Sequence, residues 1–114
     1  LCYPGRLPRG GDCPPRPECA PLWHPPVLAE LSEVGLTLLV GSYAQAHYLG
    51  EARKATLTDT VAAWRDYLPR FLVLPHPSWR TTAWEARNPW FAAELLPRAR
   101  ELVAGLAATP RPPP

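Results

Sequence analysis

The residues best placed to do chemistry follow the second of two short apolar runs. Pro75-His76-Pro77-Ser78 comes directly after Phe71-Leu72-Val73-Leu74, and ligand crevices of open α/β sheets form at the carboxyl ends of strands. Prolines on both sides restrict the backbone of His76, so its imidazole can be held in one direction, and Ser78 can donate to a phosphate. The residues alone leave two interpretations open, a binding-site imidazole or a loop histidine satisfied by backbone groups.

A glycine turn follows the first apolar run, Leu36-Thr37-Leu38-Leu39-Val40. Backbone N–H groups at a turn such as Gly41-Ser42 can bind a phosphate at the start of the next helix. Close packing of that helix on its strand would require Gly41 equally. Both interpretations stay open.

The three cysteines, Cys2, Cys13 and Cys19, all lie near the amino terminus. Their odd number argues against a complete disulfide framework and leaves metal ligation or free thiols. Together with His24 they offer thiolate and imidazole ligands for zinc, although their spacing lacks the paired pattern of common zinc sites. A small zinc-binding module is therefore an alternative function.

Composition excludes little and favours one small soluble domain. Apolar residues make up 46% of the 114 residues, enough for a modest core. Twelve Lys and Arg against ten Asp and Glu give a net charge of only +2, which is no nucleic-acid signature by itself. Because no run approaches the ~20 apolar residues of a membrane span, the sequence predicts a cytoplasmic protein without membrane contact.

Periodicity and capping signals predict four helices and two strands that position these residues. The predicted elements are a helix from Pro25-Pro26 to Val34, a buried strand 36–40, a helix 43–49 capped by Ser42, a helix to Leu68 capped by Thr58 or Asp59, a strand 71–74, and a helix from Pro89 to Leu106 capped by Asn88. A polar loop rich in Trp and Arg should separate the second strand from the last helix. We expect Trp64, Trp84 and Trp90 to pack in the core or between helices, and His24 and His47 to be structural.

Alternation of strands and helices predicts a parallel sheet covered by helices. Two strands are too few for a complete sheet, so we expect either missing amino-terminal strands or pairing with another chain. The start at Leu1 without an initiator Met favours a fragment, and the Pro-rich segment 110–114 should be an extended tail.

Several segments in this order resemble a bacterial branch of the uracil-DNA glycosylase superfamily. The segments are CYPGR, GGDCPPRPECAPLWHPPVLAEL, LTLLVGSYAQAHYLG and LPHPSWRTTAWEARNPWFAAELLPRARELVA, and together they cover nearly the whole chain. The resemblance implies a three-layer α/β/α sandwich around a parallel sheet, with residues 1–109 forming part of that domain and its amino-terminal strand or strands missing.

The resemblance further implies base-excision repair of DNA, in which an extruded uracil is released by hydrolysis of its N-glycosidic bond. By family analogy His76 donates a hydrogen bond to uracil O2. The residues implied to contact DNA are Pro77, Ser78, Trp79, Arg80, Arg87, Gly41 and Ser42. The groups that activate water and stack on uracil are expected before Leu1, so we expect this chain alone to have little or no activity. A catalytically silent DNA-binding or protein-interaction domain on the same fold is the other alternative, and no obligate protein partner is expected.

Resemblance to the iron-sulfur members of the superfamily implies that two cysteines bind a cluster. Cys2 and Cys19 match the places of two ligands of a 4Fe-4S cluster, whereas Cys13 stands where relatives tend to have an apolar residue. The chain has no C-x2-C, so a cluster would need a preceding segment to be complete. Free thiols are the alternative.

Overall fold

The computed structural model describes residues 4–108. The proposed ligand Cys2 and the Pro-rich tail 110–114 lie outside these residues. The chain divides into two compact units, with the boundary between Val34 and Gly35, and the site described below belongs to the second. The assignment of residues 1–109 to one domain stays a prediction.

The first unit contains a backbone turn and one helix. The Leu7 amide donates to the Gly11 carbonyl and the Cys13 amide to the Gly5 carbonyl, both at 2.8 Å. Helix α1 (Cys19–Glu30) then follows, with Pro25 and Pro26 inside it. The prediction that a helix starts at those prolines is wrong, because α1 begins at Cys19 and continues through both of them. The φ angle of proline is compatible with a helix, although each proline lacks the backbone N–H that would donate within the helix.

The apolar residues at helical spacing in this region form no buried face. Val27, Leu28, Leu31 and Val34 are all exposed. Helix α1 ends at Glu30, so it stops before the predicted end at Val34.

The second unit is built on a two-stranded parallel sheet. Strand β1 (Thr37–Val40) pairs with β2 (Phe71–Leu74), and Leu39 lies opposite Val73. The parallel sheet predicted from the sequence is confirmed. Only one face of β1 is buried, since Leu39 is buried while Leu38 and Val40 are exposed, so the prediction of a fully buried first strand is wrong.

Helix α2 (Ser42–Leu49) follows β1, and α3 (Leu57–Ala62) leads through the 3-10 turn Trp64–Tyr67 towards β2. The cap of α2 is Gly41, not Ser42, which is its first helical residue. The cap of α3 is Thr56, whose hydroxyl accepts a hydrogen bond from the Asp59 amide at 3.1 Å. Thr58 and Asp59 therefore lie inside the helix that they were predicted to cap.

The region after β2 is more helical than predicted. Helix α4 (Thr81–Arg87) occupies part of the predicted loop, and a π-helical segment (Phe91–Leu95) precedes α5 (Leu96–Ala108). The Asn88 side chain donates to the Trp84 carbonyl at 2.8 Å, so it caps the end of α4 and not the start of the next helix. Seven residues are too few to show helical periodicity in the sequence.

The core of the second unit joins all these elements. Its buried members are Leu39, Val61, Trp64, Leu72, Val73, Phe91 and Leu95. The rings of Trp84 and Trp90 pack edge-to-face, with 5.8 Å between their centroids, and Trp64 is buried. The prediction that these three tryptophans pack in the core or between helices is confirmed. No helix within residues 4–108 has the length and apolar character that a bilayer crossing needs.

Candidate functional site

The two strands of the sheet end side by side, because Val40 is paired with Leu74. The backbone amide of Gly41 donates to the Leu74 carbonyl at 2.9 Å, so the glycine turn begins directly against the end of β2. Local apolar runs thus bring the two candidate segments, Gly41-Ser42 and the loop after Leu74, to one edge of the sheet.

A buried glutamine joins both strand ends to α2. The Nε2 amide of Gln45 donates to the carbonyl oxygens of Leu39, at 3.2 Å, and Leu74, at 2.9 Å. Gln45 is only 2% exposed, and a buried amide with partners stabilises one arrangement of its neighbours. Gln45 is not predicted from the sequence, where its only signal is a polar residue one helical turn after the cap of a short apolar helix.

Gly41 packs directly against His76. Its backbone has φ of +87° and ψ of 170°, a region almost restricted to glycine. A Cβ at this position would lie 3.7 Å from both Cβ and Cδ2 of His76. The turn and the histidine, which the sequence suggested separately, are therefore neighbours.

The backbone around His76 is fixed by hydrogen bonds to its carbonyl oxygen. The Ser78 amide donates to this oxygen at 2.9 Å, and the Thr81 hydroxyl donates to it as well. The Thr81 amide also donates to the Ser78 carbonyl at 3.0 Å, which connects the loop to the first turn of α4. No sequence pattern predicts this role of Thr81.

The His76 side chain itself faces solvent. Pro75 is buried beneath the loop, whereas His76 and Pro77 are exposed and Ser78 is half-buried. Within residues 4–108 the imidazole makes neither a hydrogen bond nor an ion pair, so no backbone group satisfies it. An exposed imidazole on a fixed backbone can donate to, or accept from, a ligand at this edge of the sheet.

An aromatic and cationic surface continues from the loop. Trp79 is 80% exposed, and the guanidinium carbon of Arg80 lies 5.4 Å from the centroid of its ring. Arg87 is exposed in the last turn of α4. Exposed aromatic and Arg side chains of this kind are suited to stacking on nucleobases and to contacting phosphates.

The cysteines do not make a metal site within the described chain. Cys13 and Cys19 are half-buried, and no three His, Cys, Asp or Glu side chains among residues 4–108 are grouped to hold a metal ion. A 4Fe-4S cluster held by thiolates uses four of them, and this sequence has three cysteines. Its own residues therefore do not complete a cluster, and the ligand roles of Cys2 and Cys19 stay a prediction.

A protein-family model matches the part of the chain that contains this fold and site. The family model described as "Uracil DNA glycosylase superfamily" matches residues 1–100. The matched range includes both strands, the Gly41-Ser42 turn and the His76 loop.

Proposed function

The chain belongs to the uracil DNA glycosylase superfamily, and from this membership we propose that it serves base-excision repair by binding a uracil extruded from DNA. Members of this superfamily act on DNA and have glycosylase-like function at the level of the family. The observation that carries the specific proposal is the solvent-facing imidazole of His76 on a fixed loop at the carboxyl edge of the sheet.

His76 is suited to stabilise the departing base. When the N-glycosidic bond breaks, negative charge develops on the uracil ring, and an imidazole N–H directed at O2 stabilises that charge more in the transition state than in the ground state. The base must leave the duplex first, because neither the bond nor the base edge is accessible within the stack. The hydrogen bonds from Ser78 and Thr81 to the His76 carbonyl support this role, since they fix the loop before the ligand arrives.

The neighbouring residues are proposed to hold the DNA strand. Pro77, Ser78 and the Gly41-Ser42 turn flank His76 and would contact the sugar-phosphate backbone beside the flipped nucleotide. The exposed Trp79, with Arg80 over its ring, would stack on an unpaired base. Arg87 would contact a phosphate further along the strand.

We expect the 114-residue chain to bind uracil-containing DNA but to hydrolyse it slowly or not at all. A donor to the leaving group does not by itself position a water molecule, and no residue of this chain has been assigned that task. Binding is therefore the property that tests the proposal.

The test compares the affinity of the chain for single strands that differ at one central position, which is uracil, thymine or an abasic site. Fluorescence anisotropy should show tighter binding to the uracil and abasic strands than to the thymine strand. His76→Asn should lower the affinity for the uracil strand relative to the abasic strand by about two- to tenfold, because only the uracil strand offers an O2 acceptor and a hydrogen bond to it contributes about 0.5–1.5 kcal/mol. The matched control is His47→Asn, which changes an exposed histidine of α2 and should leave the ratio of the two affinities unchanged.

Two other results would contradict this function. Equal affinity for all three strands would indicate a DNA-binding domain that does not recognise uracil, and no binding at all would favour a protein-interaction domain. Release of uracil by the chain in the same samples would show that a residue within it activates water.

A further inference from the structure

A small pocket lies beside the first turn of α2. Ser42 lines it, and the preceding residue, Gly41, packs against His76. The pocket has a volume of about 110 Å³, which is space for several water molecules or one small anion. Its lining includes Ser42 at the start of α2 and, from the later segment 53–60, Arg53, Lys54, Thr56 and Thr60. Both charged residues of its lining are cations, Arg53 and Lys54.

The charge of this pocket differs from that of a larger groove on the same unit. The groove, of about 450 Å³, contains Arg65 and Arg98 but also Glu94 and Glu101. Arg65 lies 3.8 Å from Glu94 and Arg98 lies 3.0 Å from Glu101, so the cations of the groove are neutralised by its own acids. Arg53 and Lys54 have no such partner within residues 4–108, and their pocket therefore attracts anions.

Hydrogen bonds fix the backbone of the loop that carries these two cations. The Tyr67 hydroxyl donates to the Ala52 carbonyl at 2.7 Å, immediately before Arg53. The Lys54 amide donates to the Thr60 hydroxyl at 3.0 Å, and that hydroxyl in turn donates to the Thr56 carbonyl at 3.0 Å. Thr60 is 2% exposed, so a buried hydroxyl fixes the backbone of an exposed, charged loop.

We propose that Arg53 and Lys54 form a binding site for a phosphate group, and that its source is the backbone of the DNA strand whose base lies at His76. The inference rests on the proposed function for the identity of this ligand. Ser42 lines the pocket and directly follows Gly41, which packs on His76. A strand bound at the His76 loop can therefore continue across the Gly41-Ser42 turn into the pocket.

The chemistry of the lining fits a phosphodiester. The Arg53 guanidinium can donate two parallel hydrogen bonds to two phosphate oxygens, and the Lys54 ammonium adds a mobile point charge. The Ser42 and Thr56 hydroxyls are further donors of the kind that contact phosphates. Such a site contributes affinity and register on the strand without reading its sequence.

The first arm of the test measures DNA affinity of the 114-residue chain as a function of salt. For single strands, each phosphate contact contributes about 0.7 to the slope of log K against log salt concentration. Arg53→Gln should lower the affinity about three- to tenfold at moderate salt. It should also reduce the slope of log K against log salt concentration by about 0.7. The matched control is Arg100→Gln, which removes an exposed arginine of α5 that makes no ion pair within residues 4–108. Equal effects of both variants would indicate a response to net charge and overturn the site.

The second arm separates the phosphate source by NMR. Inorganic phosphate, added against chloride at matched ionic strength, should shift the backbone amides of residues 53–56 in the native chain and not in Arg53→Gln. If these amides shift but the chain binds no DNA, the site takes a free phosphate compound and the proposed repair function fails. If the chain binds uracil-containing DNA while Arg53→Gln changes neither slope nor amide shifts, the repair function stands and this site is wrong.

Discussion

At the scale of single residues, the contact between the turn after β1 and the His76 loop after β2 depends on Gly41. With φ of +87° and ψ of 170°, Gly41 adopts a conformation that costs other residues about 1–3 kcal/mol. The space beside it is not the constraint, since a Cβ would meet His76 at an ordinary 3.7 Å. The requirement for glycine at this position is therefore conformational.

Gly41→Ala should lower the free energy of unfolding by about 1–3 kcal/mol through that backbone strain. Urea denaturation followed by circular dichroism measures the change. The control is Gly105→Ala in α5, where a Cβ has nothing within 4 Å and the substitution should stabilise the chain by about 0.5–1 kcal/mol. Stabilisation by both substitutions would show that the backbone conformation at position 41 does not require glycine.

The sequence predicted Gly41, Ser42 and His76 at strand ends because each follows an apolar run that marks a strand locally. It did not predict Gln45 or Thr81. Their hydrogen bonds join residues of different elements, as from Gln45 to Leu74, and such partners cannot be deduced from spacing along the chain. The contact between Gly41 and His76 likewise depends on the pairing of β1 with β2.

At the scale of elements, the strands were predictable and the helix boundaries were not. Strands β1 and β2 lie within short apolar runs that end at glycine or proline, and this length and these flanking residues favour a strand over a helix. Helix α1 extends six residues before Pro25, although proline normally marks a helix start or end. Helix α4 is seven residues long and gave no periodic signal. Short or proline-containing helices depend on tertiary contacts more than on local preference.

Gln45 of α2 donates hydrogen bonds to the ends of both β1 and β2, so its substitution should affect all three elements. Gln45→Leu removes the donors to Leu39 and Leu74 from a buried position, which should cost about 1–3 kcal/mol of the free energy of unfolding. Because the Gly41 amide donates to the same Leu74 carbonyl, its hydrogen exchange should also become faster. Both quantities can be measured, by urea denaturation and by NMR.

The control for Gln45→Leu is Tyr43→Leu, which changes an exposed residue of the same helix and should affect stability by less than about 0.5 kcal/mol. Unchanged exchange of the Gly41 amide in Gln45→Leu would show that the buried amide does not fix the edge of the sheet.

At the scale of the whole molecule, the buried apolar cluster belongs to one unit. Every buried member of that cluster lies after Gly35, from Leu39 to Leu95. In the first unit, by contrast, large apolar side chains such as Leu22, Trp23 and Val27 are more than half exposed. Hydrophobic burial is the main favourable term in folding, so the stability of the chain should be located in the second unit.

A chain that begins at Gly35 should therefore keep a cooperative thermal transition. Near-UV circular dichroism, which detects the buried Trp64, should give a Tm for residues 35–114 within a few degrees of the full chain, since the deletion removes no member of the cluster. The comparison variant is Leu72→Ala in the full chain. Leu72 has no exposed surface, and losing such a side chain costs about 2–5 kcal/mol, which lowers Tm by roughly ten degrees or more in a domain of this size. A deletion that lowers Tm as much as Leu72→Ala would show that the first unit supplies folding energy to the second.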